Sequence, residues 1–389
     1  MDRGEVSFTK MEKVIFGQEA AASVKKEVLR LGAKRVFLLV SKTLNNKTQE
    51  VENLRNALGN FYCGTHDYMP AHSPRDAVIT CANKMRQKRA DLLVSFGGGS
   101  TTDGGKAVTI CLEHNISEPD GLEPYRTVVN ALGKRYYPNY TAPTIRQVAI
   151  PTTLSGGEFN PRAGITDTNL RLKQSYIHPG IIPISVILDP AVTISTPEWL
   201  FLSTGIRAID HAIETYLSID ANSYTDGASL QALRLLSEGL PRVKAFPFDL
   251  DARLKCLMGA WMSMTGVITG ARLGASHAIG HILGGSANVP HGQTSCIMLP
   301  HVMKWNAPVN GERQKEVAKA MGRAGTPAYQ VLDKLIADLG MPRRIRDVGV
   351  VEQDLMRLAQ NCMLDDWTFS NPRGIQTPDQ ILEILKMAY

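Results

Sequence analysis

Apolar positions in the first half of the chain come in short unbroken runs, whereas in the second half they recur every three to four residues. Residues 14–16, 35–40, 91–96, 148–150 and 183–188 are predominantly β-branched or apolar, the pattern of strands buried on both faces. Between them, residues 20–31 have helical spacing and meet Gly32. Residues 48–58 and 73–89 repeat that spacing, the latter opened by Ser73-Pro74. Strand alternating with helix predicts a parallel sheet wrapped by helices. After Pro190 the strand signals fade. Residues 204–217, 225–240, 251–269, 276–283, 311–321, 326–339 and 379–387 read as helices. The expected architecture is an α/β domain over residues 1–190 and an all-α domain over residues 191–389.

Composition narrows the function classes. Hydrophobic residues make up 43% of the 389 and charged residues 21%, ordinary for a water-soluble globular chain. The net charge of +6 is spread without an arginine-rich run, so a nucleic-acid partner is not expected, while an anionic substrate is compatible. Six cysteines without a CxxC pair argue against a disulfide framework and a thiolate zinc site. No apolar signal core follows Met1, and no stretch of about 18 apolar residues occurs. The expectation is a cytoplasmic protein with no membrane partner.

Chemistry concentrates in four places. Gly97, Gly98, Gly99 and Ser100 follow a buried strand and open a helix that carries Asp103 and Lys106. Glycines there let backbone N–H groups approach an anion, and the helix dipole favours it, so the loop reads as a pyrophosphate cradle. It is neither GxGxxG nor a Walker A loop. Thr152, Thr153 and Ser155 follow the next apolar strand, at the end where α/β sheets bind ligands; a solvated loop is the alternative. Arg207 precedes His211 by one turn of a predicted helix. His277 and His281 are four apart and share a helical face; Gly284-Gly285 is expected to end that helix, and Pro290 to set a loop presenting His291. These imidazoles suit either a metal pocket or packing. His66, His72, His114, His178 and His301 are expected to be structural or surface groups, Trp199, Trp261 and Trp305 core residues, and residues 118–142 a surface insertion.

The motifs GGGSTTDGGK, IPTTLSGGEF, GIRAIDHAIE and HAIGH followed by PHG, with Asn371-Pro372-Arg373 near the carboxyl end, resemble the iron-containing (group III) alcohol dehydrogenase superfamily, which includes the maleylacetate reductases. The resemblance covers nearly the whole chain. It implies a Rossmann-like sheet domain followed by a helical domain, the dehydroquinate synthase-like fold, and a dimer or larger homo-oligomer. It implies that Gly97, Gly98, Gly99 and Ser100 bind the pyrophosphate of NADH or NADPH, with Asp103 supporting the loop. Thr152, Thr153, Ser155 and Lys173 would line the cofactor, with Ser41 and Leu188 at their strand ends. The second strand ends Val40-Ser41-Lys42, without an acidic residue to repel a 2′-phosphate, which tilts towards NADPH or dual use.

In metal-dependent members an Asp and three His hold Fe²⁺ or Zn²⁺. His211, His277 and His291 stand at the histidine positions, and His281 at that of a further active-site histidine. The Asp position is Arg207, which cannot ligate and opposes a cation. The expectation is therefore a metal-independent reductase of an anionic carbonyl or enone, similar to the maleylacetate reductases of aromatic-compound catabolism. Arg207, His211, His277, His281 and His291 would be its catalytic groups. The alternatives are an Fe²⁺- or Zn²⁺-dependent alcohol dehydrogenase or aldehyde reductase, with zinc on three histidines and water, and a non-catalytic protein that kept the fold.

Overall fold

Successive residues of a strand point to opposite faces of its sheet, and the strand Val36–Val40 is buried at every position. Val36, Leu38 and Val40 enter one apolar cluster with Val94, Phe96 and Val148; Phe37 and Leu39 enter another with Leu93, Val78 and Ile110. Both faces are therefore covered, each buried aliphatic side chain contributing about 1.5–3 kcal/mol.

The computed structural model describes residues 6–129, 135–170, 172–287 and 289–389. It divides into two compact units, Thr9–Thr196 and Pro197–Tyr389, the latter with residues 6–8. In the first unit, in chain order, lie β1 (Lys13–Phe16), α1 (Ala20–Leu31), β2 (Val36–Val40), α2 (Lys42–Lys47), α3 (Glu50–Leu58), β3 (Tyr62–His66), α4 (Arg75–Gln87), β4 (Leu92–Gly97) and α5 (Gly99–Glu113). Then come β5 (Val128–Val129), β6 (Arg135–Tyr136), β7 (Arg146–Pro151), β8 (Arg162–Asp167), β9 (Leu172–Ile177) and β10 (Ser185–Leu188). The main sheet is parallel, in the order β1-β10-β7-β4-β2-β3.

The helix expected over residues 48–58 forms as α3, and a separate short helix not expected from the sequence, α2, precedes it, closed by the Thr48 hydroxyl on the Leu44 carbonyl at 2.7 Å. The β8–β9 hairpin was not legible in the sequence. Of the expected insertion 118–142, residues 119–125 form a 3₁₀ segment and β5 pairs with β6; residues 130–134, like residues 1–5, lie outside the described residues.

The second unit holds α6 (Glu198–Leu217), α7 (Ser223–Ala245), α8 (Leu250–Ile268), α9 (Ala275–Ala287), α10 (His291–Ala320), α11 (Ala328–Asp338), α12 (Leu355–Cys362), α13 (Asp366–Phe369) and α14 (Pro378–Ala388). Two expectations fail here. Gly284-Gly285 does not end α9, and His291 lies not in a loop but at the first position of α10, with Pro290 as its cap. The glycines serve close approach. A Cβ on Gly280 would lie 2.8 Å from Thr294 Oγ1, and one on Gly284 2.9 Å from the His291 ring. Trp305 is buried as expected, but Trp199 is 46% exposed. No helix among the described residues is long and apolar enough to cross a membrane.

Helix α6 is buried at every position from Phe201 to Leu217. A helix buried all round has no solvent face for its polar residues, so Arg207, Asp210, His211 and Glu214 must be satisfied inside the protein.

Candidate active site

Strand β4 delivers Gly97 to the sheet's carboxyl edge, and α5 begins at Gly99 with Gly98 as its cap. A Cβ on Gly97 would lie 2.6 Å from Thr101 Oγ1, on Gly98 3.2 Å from Thr153 Cγ2, and on Gly99 3.2 Å from Ser155 Oγ. The three glycines, Thr153 and Ser155 thus form one cradle over the start of α5, ahead of the first helical bonds, which run from the Thr101 and Thr102 N–H groups to the Gly98 carbonyl at 3.0 and 3.2 Å. That fits a pyrophosphate. The Thr153 and Ser155 hydroxyls are 3.3 Å apart, and the Thr152 N–H donates to the Gly97 carbonyl at 3.0 Å.

Neighbouring groups brace the cradle. Ser41 caps α2, and its N–H donates to the Phe96 carbonyl at 2.9 Å. Ser100 Oγ accepts the His72 N–H at 3.1 Å while its carbonyl accepts the Ser73 hydroxyl at 2.8 Å, holding His72 and Ser73 at positive φ. Asp103 accepts the Gly164 N–H at 3.0 Å and the Lys106 ammonium at 3.1 Å. Lys106 is fully buried and also donates to the carbonyls of Gly157 and Arg162 at 2.6 Å. It ties the two loops together and is not a phosphate ligand. Lys173 packs over Gly164, its Cε lying where a Cβ would otherwise stand. Leu188, fully buried, ends β10 and contributes its carbonyl to the Gly17 N–H at 3.0 Å.

The second unit holds the charged residues. Arg207 Nη1 donates to Ser295 Oγ at 3.1 Å and lies 3.9 Å from Asp210 Oδ2; a tenth of its side chain remains open. The Ser295 hydroxyl in turn donates to Asp210 Oδ2 at 2.6 Å, and so does that of Ser276 at 2.9 Å. His277 Nδ1 lies 2.8 Å from Glu214 Oε2 and 3.4 Å from Asp210 Oδ1. A carboxylate only accepts, so Nδ1 carries the proton. Glu214 also receives the N–H groups of Gly274 at 2.9 Å and Ser276 at 2.8 Å.

Burial and Arg207 pull the His277 pKa down, but Asp210 and Glu214 outweigh them and raise it, favouring the imidazolium. Burial would raise the Asp210 carboxyl, yet His277, Arg207 and Ser295 hold it below the usual range. His211 is driven well below its ordinary value by burial, then by His277 and Arg207, and is neutral. Two cations, Arg207 and His277, thus face two carboxylates, Asp210 and Glu214. Around them, the rings of His211 and His277 lie 4.9 Å apart and those of His281 and His291 5.9 Å apart. His211 Nδ1 and His277 Nε2 are buried with no hydrogen-bond partner among the described residues.

The structure therefore brings Arg207, His211 and His277 together and sets His281 beside His291. Sequence reasoning gave no site role to Asp210, Glu214, Ser295, Asp365 or Trp367. Asp210 and Glu214 were discoverable: at three and seven residues after Arg207 they lie on its helical face. Asn371, in the Asn-Pro-Arg motif, exchanges side-chain hydrogen bonds with Asn306 at 2.7 and 3.1 Å, and Arg373 stacks on Trp305 at 4.1 Å.

Among the described residues, the metal-type donors that gather within 4.8 Å of one another are Asp210, Glu214 and His277, not the trio His211, His277 and His291. Asp210 Oδ2 accepts from Ser276 and Ser295 and Glu214 Oε2 meets His277 Nδ1, whereas Asp210 Oδ1 and His277 Nε2 make no hydrogen bond among the described residues.

A glycine-lined cradle on a parallel sheet and a buried, histidine-rich helical site fit an oxidoreductase. Residues 11–190 match the iron-containing alcohol dehydrogenase family and residues 201–389 its C-terminal model; the chain belongs to that family of NAD(P)-dependent dehydrogenases. It is 30% identical to 1,3-propanediol dehydrogenase of Klebsiella pneumoniae, over 96% of each chain. It is also 30% identical to maleylacetate reductase 2 of Cupriavidus pinatubonensis, over 97% of this chain and 94% of that one. The crystal structure of maleylacetate reductase from Agrobacterium tumefaciens superposes with a TM-score of 0.84 at 27% identity, covering 100% of this chain and 99% of that one.

Proposed function

We propose that this oxidoreductase reduces an anionic carbonyl or enone substrate, similar to that of the maleylacetate reductases, with NADPH or NADH and without a metal. The observation that carries this reading is Arg207, a guanidinium anchored by Ser295 and Asp210 where a metal-ligating carboxylate is expected. A fixed positive charge there opposes a divalent cation and suits an oxyanion, which the fork-shaped guanidinium binds in two-pronged fashion. The Asp210 and Glu214 carboxylates are committed to His277 and its neighbours. The guanidinium and these commitments favour a site that works without Fe²⁺ or Zn²⁺.

Gly97, Gly98, Gly99 and Ser100 would hold the cofactor pyrophosphate, and Thr152, Thr153 and Ser155 would line the nicotinamide side, with Ser41, Asp103, Lys173 and Leu188 supporting them. The reduced cofactor supplies hydride. Arg207 and His277 Nε2–H stabilise the charge that develops on the substrate oxygen, the role a Lewis acid would otherwise fill. His211, neutral, accepts or shares a hydrogen bond, and His281 and His291 stand where a proton can be delivered.

A second reading, an Fe²⁺- or Zn²⁺-dependent alcohol dehydrogenase, is favoured by the gathering of Asp210, Glu214 and His277. Metal content of the purified protein separates the two, together with NADPH and NADH oxidation on maleylacetate and on simple aldehydes, with and without chelator. Chelator-insensitive reduction of the dicarboxylate by metal-free protein supports the first. One metal per chain with chelator-sensitive aldehyde reduction supports the second. Size-exclusion chromatography with light scattering tests the accompanying expectation of a dimer or larger assembly.

A further inference from the structure

We propose that Asp365 is a positioning residue that holds His281 in the tautomer and orientation of a proton donor. This rests on the reductase reading above. His281 Nδ1 lies 2.8 Å from Asp365 Oδ2, across 84 residues of chain, while the other carboxylate oxygen, Oδ1, accepts the Trp367 N–H at 3.0 Å and caps α13. One carboxylate is thereby fixed at both ends. It cannot rotate away from the imidazole without uncapping the helix. Trp367, two residues on, stacks against His281 at 4.8 Å and 32° and meets His277 edge-on at 5.8 Å. The ring of His281 is thus held by a hydrogen bond in its plane and an aromatic surface across its face.

The consequence is chemical. Asp365 fixes the proton on Nδ1 and stabilises the imidazolium, so Nε2 bears the transferable proton. Two electrons arrive with the hydride at the substrate carbon, the π pair moves to the oxygen, and that oxygen takes the Nε2 proton. His281 is left neutral with Nδ1–H still on Asp365. Reloading needs water. His281 is 27% exposed, whereas the His277 side chain is 1% exposed, so His281 regains its proton from solvent. His277 keeps its own, balanced by Glu214 and Asp210.

Asp365→Asn is the informative variant. Its amide oxygen still caps Trp367, which places the NH₂ group against His281 Nδ1 and forces the opposite tautomer. Expected are a kcat lower by about tenfold to a hundredfold, a substrate KM and NADPH Kd changed by less than about twofold, and an unchanged Tm. Long-range ¹H–¹⁵N spectra of the cofactor-free protein, taken at a pH high enough for a neutral ring, should show His281 as Nδ1–H in the native chain and Nε2–H in the variant. Asp365→Glu should recover part of kcat. Native kcat in Asp365→Asn, native kcat in His281→Gln, or kcat and Tm falling together would overturn the proposal. A native chain that carries the Nδ1–H signature but does not reduce the dicarboxylate would instead sink the reductase reading and, with it, the proton-donor role, leaving only the hydrogen bond.

Discussion

Arg207 and Asp210 lie one helical turn apart on α6, 3.9 Å from nitrogen to oxygen, and the Ser295 hydroxyl from α10 links them by accepting from one and donating to the other. A buried guanidinium and a buried carboxylate each carry a large desolvation penalty. Their pairing, with His277 on the second oxygen of Asp210, makes the arrangement tolerable. The same pairing fixes the guanidinium in place, as the proposed oxyanion-binding role requires.

Removing the cation should therefore cost stability as well as activity. Arg207→Ala leaves Asp210 with one fewer counter-charge, and urea unfolding should show a loss of about 3–5 kcal/mol. Arg207→Lys keeps the charge without the fork and should retain most of the stability while lowering kcat/KM for a dicarboxylate. Arg207→Asp should create measurable Zn²⁺ affinity by calorimetry, and the native chain should show none. Native chain and variant binding Zn²⁺ equally would contradict the metal-free reading.

Ser295→Ala deprives two charged groups of one shared hydroxyl. An unmet buried hydrogen bond to a charged group costs about 1–3 kcal/mol. Chemical denaturation should show a loss in that range, and Ser295→Thr should behave close to native if its methyl is accommodated. A neutral Ser295→Ala would mean the bridge contributes nothing.

The cradle is testable through its close contacts. A Cβ at Gly98 would sit 3.2 Å from Thr153 Cγ2, in the space assigned to the pyrophosphate. Gly98→Ala should weaken NADPH binding by about tenfold or more, equivalent to about 1.4 kcal/mol, as read by quenching of protein fluorescence. Stability should be almost unaffected. Unchanged affinity would remove this loop from the cofactor site.

Glu158, in the loop that Lys106 ties to α5, is buried, and that burial raises its pKa from 4.5 to about 7 despite Lys106. The folded state thus holds a proton that the unfolded chain has released. The contribution is fully present below pH 4.5 and is lost as pH rises through about 7, a change of about 3 kcal/mol over that window. Glu158→Gln should remove that dependence, so its stability relative to the native chain should rise between pH 4.5 and 7 in paired denaturation curves.

Local sequence determined much of this protein. Apolar runs separated by helical spacing are enough for a parallel sheet, since strands buried on both faces need helices on both sides. Gly97, Gly98 and Gly99 after such a strand mark an anion cradle through backbone chemistry alone. Arg207 at a family carboxylate position is readable from the residue type, because no fold can make a guanidinium a metal ligand. What tertiary structure decided is where neighbours in sequence find partners far away. His277 meets Glu214 across 63 residues and His281 meets Asp365 across 84, separations that no periodicity encodes. The error at Gly284 has the same origin. Local propensity makes Gly-Gly a helix stop, but the missing Cβ lets the His291 ring lie against α9, and the packing gained there outweighs the propensity lost.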